Sequence, residues 1–133
     1  MTPASAYHVP MNRVFYFEIP ADDVDRAVGF YSSAFGWEST QFSSETPYYF
    51  VKTGSEEPGI DGGIMKKFAD GQPVTNVIQV EEIDSAIARI EAAGGLVVVP
   101  KFPVPGLGWK AFFKDTEGNI FGISELNSNV TGN

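Results

Sequence analysis

The chain has 133 residues, the length of one domain with none left for a second, and its 43% hydrophobic and 14% aromatic content suffices for a core. A formal charge of −8 with nine scattered Lys and Arg argues against nucleic acid as a partner, and zero cysteines exclude disulfides, thiolate nucleophiles and cysteine metal sites. No apolar run approaches membrane-spanning length, and "MTPASAYHVPMNRV" lacks the basic-then-apolar layout of a signal peptide, so a soluble, cytoplasmic protein with no membrane partner is expected.

Residues 1–12 read as an N-terminal arm. They carry the lone histidine, His8, between prolines, where a solvated tail residue is a simpler reading than a catalyst. Neither a GxxxxGK[ST] phosphate loop nor a GxGxxG occurs anywhere. "RVFYFEIP" (13–20) is β-rich and closed by Pro20. "ADDVDRAVGFYSSAFGW" (21–37) predicts a helix with Val24, Ala27, Val28, Tyr31 and Phe35 on one face. Asp22 or Asp23 is placed to cap its start, and Gly36 its end. Three strand-like pieces follow, "ESTQFS", "YYFVKT" and "GGIMKK", split by Pro47 and the "GSEEPG" loop.

The second half repeats the order. "TNVIQV" (75–80) is a strand and "EEIDSAIARIEAAGG" (81–95) a helix with Ile83, Ala86, Ile87 and Ile90 on its apolar face. Strands "LVVVP", "WKAFFK" and "NIFGISE" complete it. A shift of 59 places Val24 on Ile83, Asp25 on Asp84, Tyr31 on Ile90, Gly36 on Gly95, Tyr16 on Thr75 and Gly63 on Gly122. A three-residue insertion in the first half keeps that register. Two diverged βαβββ modules, 13–72 and 73–126, followed by a tail at 127–133, account for these matches. The predicted fold is α+β: a curved eight-stranded mixed sheet with helices outside and a ligand-holding cup inside.

"FYFEIPADDVDRAVGFYSSAFGW", "VIQVEEIDSAIARIEAAGG" and "GLGWKAFFKDTEGNIFGISE" resemble the vicinal oxygen chelate superfamily, which includes glyoxalase I, bleomycin-resistance proteins and extradiol dioxygenases. The likeness covers roughly 13–126, and the D-x-x-G-N-x-F-G ending is similar to that of its glyoxalase-like single-chain members. Metal-using members hold a divalent ion with four side chains, two from the first strand of each module and two from the last. Carried over, those positions are Tyr16, Gly63, Thr75 and Gly122, none of them a His or a carboxylate. The resemblance therefore implies a protein without a metal or other cofactor. Gly63 and Gly122 either enlarge the cup and admit a ligand to the backbone, or merely relieve crowding.

If Tyr16 faces the cup, Glu18 does too, two residues along the strand. Desolvation there would suit a general base, whereas a wet mouth or a lysine partner would make Glu18 structural. Thr75, Val77 and Gln79 share the predicted cup face of the second module, with Gln79 the polar group of longest reach, and Ser124 adds a small donor beyond Gly122. The irregular "PKFPVPGLGW" (100–109) is expected to pass the cup mouth and offer Phe102 and Trp109 as a lid. Alternation leaves open which face of "WKAFFK" points inward. Glu18, Asp61 and Glu125 are the only carboxylates expected near the rim.

These residues predict a metal-free module that binds a small, partly apolar organic molecule. The alternative is a metal-independent lyase or isomerase with Glu18 as base and Tyr16 or Gln79 polarising a carbonyl; a metal-dependent glyoxalase-type lyase or dioxygenase stands behind both. The resemblance also implies a homodimer.

Overall fold

Strand alternation in "RVFYFEIPA" builds β1 (Arg13–Ala21), whose odd-numbered Ile19 turns toward a helix and whose even-numbered Glu18 turns away. The computed structural model describes residues 11–42, 45 and 47–131; His8 lies outside them. β1 continues one residue past Pro20, which pairs with Met65 on a parallel neighbour. Asp23 accepts a hydrogen bond from the Arg26 backbone amide at 3.0 Å and so starts α1 (Val24–Phe35). Gly36, at φ 73°, ends it with its N–H on the Ser32 carbonyl.

β2 (Glu38–Gln41), β3 (Tyr48–Lys52) and β4 (Asp61–Lys66) follow. The strands lie in the order β2-β3-β4-β1, antiparallel except for the β4–β1 pair. Val24, Ala27, Val28 and Tyr31 of α1 pack onto Ile19, Val51 and Ile64, and Ile64 is fully buried. Burying each such aliphatic side chain contributes about 1.5–3 kcal/mol. Phe35 departs from the expected helix face: it is 65% exposed, its ring resting against Tyr31 and Trp37 at the helix end.

The second module contains β5 (Thr75–Gln79), α2 (Ile83–Ala92), β6 (Leu96–Val104), β7 (Gly108–Lys114) and β8 (Ile120–Leu126), with strand order β5-β8-β7-β6. Ile83 and Ala86 of α2 form a core with Val80, Ala111 and Ile123. The two sets of four strands make up a mixed eight-stranded sheet with two helices. Tyr16–Asn76 is one compact unit; Val77 onward, with the segment up to Phe15, is the other.

The register carries the internal repeat. Glu18, Ile19 and Pro20 pair with Gly63, Ile64 and Met65; Val77, Ile78 and Gln79 pair with Gly122, Ile123 and Ser124, each offset by 59. Across the hairpins Phe50 faces Gly63 and Phe112 faces Gly122, so the first loop is the longer by three residues.

The segment 100–109 differs from the irregular lid expected of it. β6 runs on through Pro100 and Pro103 to Val104, pairing Phe102 with Lys110 and Pro103 with Trp109, with register shifts along the way. Only Pro105, Gly106 and Leu107 remain as the connection. β6 is the last strand of its four, so prolines that cannot donate to an outer neighbour cost it little.

Candidate functional site

Glu18 is 1% exposed, yet it lies on the face of β1 opposite α1. A carboxylate that deep requires hydrogen bonds, because a buried charge without them is too costly to keep. One comes from β3: the Tyr48 hydroxyl donates to Glu18 Oε2 at 2.7 Å. The Tyr16 and Tyr48 hydroxyl oxygens are 2.9 Å apart. Because the Tyr48 proton is committed to the carboxylate, Tyr16 donates to Tyr48, and the proton chain runs Tyr16 to Tyr48 to Glu18. Burial, together with the nearby Glu18 charge, pushes both phenols well above the ordinary tyrosine range, so both are neutral at physiological pH.

Aromatic rings surround this chain. Phe42, Tyr48 and Phe50 meet edge to face with centroids 5.5 to 6.2 Å apart. Tyr48 escaped sequence reasoning, since "YYFVKT" gives no sign of which tyrosine faces the helix. The signal lay in the hairpin: placing Phe50 opposite Gly63 puts Tyr48 on the Glu18 side and Tyr49 against α1.

Gly63 is the point where the tyrosines gather. A Cβ built there would overlap the Tyr48 phenol and lie 2.8 Å from the Tyr16 hydroxyl. Gly122 has the corresponding place in the second module, and there a Cβ would come within 3.2 Å of the Phe112 ring and 3.3 Å of Val77. Both glycines make room for rings from their own module; that room is occupied by protein side chains. A metal does not fit these residues. Two of the four positions offer no side chain, Tyr16 is a neutral phenol engaged with Tyr48, and Thr75, buried on β5, is a poor ligand. Among the described residues, no group of three or more His, Asp and Glu is placed to hold a metal ion.

Other expected site residues separate into two sets. Val77 and Gln79 are buried on β5, paired with Gly122 and Ser124, on the face opposite α2. Phe102 joins them there, stacked on Phe112 at 6.3 Å. Trp109 goes the other way. It packs against the α2 core, with the Lys101 ammonium 4.3 Å from its ring centroid and held by Asp84 at 3.2 Å. It is therefore apart from Gln79, Ser124 and Phe102.

Two expected rim carboxylates also have structural partners. Glu125 shares the α2 side with Trp109 and Ile123, and its Oε1 accepts from the Ile83 amide at 2.9 Å. It caps α2, whose own N-cap residue, Glu82, makes no such bond. Asp61 accepts from the Thr53 amide at 2.9 Å and ties down the β3–β4 loop. In the D-x-x-G-N stretch, Asp115 accepts from the amides of Glu117 and Asn119, and Gly118 turns the chain at φ 87°. Those bonds hold the Asp115 carboxyl below the usual carboxylate range.

The model of the Glyoxalase/Bleomycin resistance protein/Dioxygenase superfamily matches residues 13–123, almost the whole sheet and both helices. The chain belongs to this superfamily. It is 31% identical over 112 residues to a glyoxylase-like domain-containing protein of Didymella fabae, covering 80% of this chain and 88% of that one. It is 29% identical over 110 residues to a putative glyoxylase of Mycobacterium bovis, where the match takes in 80% of this chain and 41% of the relative, so this chain spans well under half that protein's length. Among solved structures, a superfamily member from Vibrio splendidus superposes with a TM-score of 0.61 at 14% identity, covering 84% of this chain and 97% of that one. At that identity the likeness shows the superfamily's fold. No helix among the described residues is long and apolar enough to cross a membrane.

Proposed function

We propose that this superfamily member binds a small, partly apolar organic molecule without a metal ion, against the Glu18–Tyr48–Tyr16 face of its first module. The observation that carries the reading is the filled space at Gly63. Two phenols, one of them bonded to a buried carboxylate, stand beside Gly63, a position that the resemblance matches to a metal-holding one. The rings of Phe42 and Phe50 beside them suit an aromatic or apolar body, since each well-oriented ring pair contributes about 0.5–1.5 kcal/mol beyond area burial. The hydrogen-bonded chain supplies polar orientation, and a chain of this kind strengthens when water is excluded.

A second reading has one observation in its favour: Glu18 is a buried carboxylate already linked to a neutral phenol. That arrangement can accept a proton from a carbon acid and return it, as a lyase or isomerase requires. We further propose that the chain forms a homodimer.

Native mass spectrometry of the freshly purified protein tests these readings together. The expected spectrum shows a dimer carrying an organic molecule, with no metal mass. The co-purified molecule, once identified, is then offered to the Glu18→Gln variant. Binding retained with no turnover by the wild-type protein supports the binding module; turnover by wild type that the variant loses supports the enzyme.

A further inference from the structure

Gln79 is the outlier in the second module. Its side chain is buried, with the residue 4% exposed, and its Oε1 has no hydrogen-bond donor among the described residues. Its backbone carbonyl accepts from the Asn12 amide, so the unmatched acceptor is the one on the side chain. A buried acceptor without a donor costs about 1–3 kcal/mol, a penalty that an apolar side chain of the same shape would avoid. A glutamine kept there points to a donor that arrives from outside the chain.

The surrounding register says what that donor is attached to. Pairing across β5, β8, β7 and β6 sets Gln79, Ser124, Lys110 and Phe102 in one row on the face opposite α2. The next row holds Val77, Gly122 and Phe112. Phe102 and Phe112 stack nearly parallel, 18° between their planes, and present an aromatic wall. Half-buried Ser124 is the more accessible neighbour of Gln79 in the row. An amide acceptor and a hydroxyl side by side, followed along the row by Lys110, whose ammonium lies 5.4 Å from the Phe112 centroid, and by the ring wall, match a ring bearing a hydrogen-bond donor.

We propose that Gln79, assisted by Ser124, is a specificity-determining residue that accepts a hydrogen bond from a hydroxyl or N–H group on an aromatic ligand lying against Phe102 and Phe112. This face belongs to the second module, whereas the binding reading above places its ligand on the first, so the two proposals stand or fall separately. The side chain meets the ligand by a rotamer change, which its three side-chain torsions permit.

Two measurements test it. The first needs no ligand: thermal unfolding of wild type and Gln79→Met. Because the substitution removes an unmatched acceptor while keeping the volume, the midpoint is expected to stay or rise. A lowered midpoint would show Gln79 to be a structural hydrogen-bonding residue and overturn the proposal. The second compares 1-naphthol with 1-methoxynaphthalene by ligand-observed NMR. Wild type is expected to prefer the naphthol by about tenfold, the worth of one hydrogen bond of about 1.4 kcal/mol. Gln79→Met is expected to lose the preference and Ser124→Ala to reduce it. Uptake of both compounds without preference, or a preference that survives in Gln79→Met, overturns this proposal alone. Uptake of neither compound overturns this proposal too and leaves the first-module reading to native mass spectrometry.

Discussion

At the scale of single residues, Glu18, Tyr48 and Gly63 depend on one another. The carboxylate is kept deep by the Tyr48 hydroxyl, and Tyr48 has its place because residue 63 lacks a Cβ. Tyr48→Phe removes the donor and leaves Glu18 Oε2 without that bond, at an expected loss of about 1–3 kcal/mol in urea unfolding. Gly63→Ala forces the Tyr48 ring aside and is expected to cost a similar amount, about 1–3 kcal/mol. In a Tyr48→Ala background the same change should cost clearly less, a coupling that a double-mutant cycle reads directly. Equal costs in both backgrounds would show that the glycine serves something else. The phenols also set a pH response. Their folded-state values lie above the unfolded value of about 10, so the native protein holds these protons more tightly than the unfolded chain. Their contribution is fully present below about pH 10 and falls as pH rises beyond it. Phenolate absorbance of the folded protein is therefore expected to be the same below about pH 11 in wild type and in Tyr16→Phe/Tyr48→Phe.

At the scale of elements, the helices and their caps were largely legible. Asp23 and Gly36 bound α1 as their residue types dictate, and the spacing of Val24, Ala27, Val28 and Tyr31 identified its buried face. α2 hid its cap, because the acceptor comes from Glu125 on β8, far along the chain. Glu125→Ala is expected to destabilise the protein by about 1 kcal/mol, with Glu125→Gln milder because it keeps an acceptor; thermal unfolding with far-ultraviolet circular dichroism reads both. β6 was harder to see. Its prolines resemble loop punctuation, and only the strand order shows that they sit on a last strand where missing donors are tolerated. The same ambiguity governed Trp109: alternation in "WKAFFK" divides the residues into two sets, but packing against α2 decides which set is inside the core.

At the scale of the molecule, the duplication was readable because it left matched positions 59 apart, and the pairing of Glu18 with Gly63 and of Val77 with Gly122 shows those matches as register. Within each module, period-two alternation put Glu18 on the side of β1 away from α1, and Gln79 and Ser124 on the side of β5 and β8 away from α2. Tyr48 did not follow, since its role depends on hairpin register and on the space left by a glycine thirteen residues after Phe50, which pairs with it. At this site the chain differs in chemistry from metal-using members of its superfamily: Tyr16, Gly63, Thr75 and Gly122 include no His and no carboxylate. Where they direct ligands to an ion, this chain has phenols bonded to a carboxylate. Elemental analysis of the protein after incubation with excess zinc, nickel or iron(II) and gel filtration examines that difference most directly. A metal-free site predicts far less than stoichiometric metal, unchanged in Tyr16→Phe. A stoichiometric ion that is lost on replacing Tyr16 or Glu18 would contradict it.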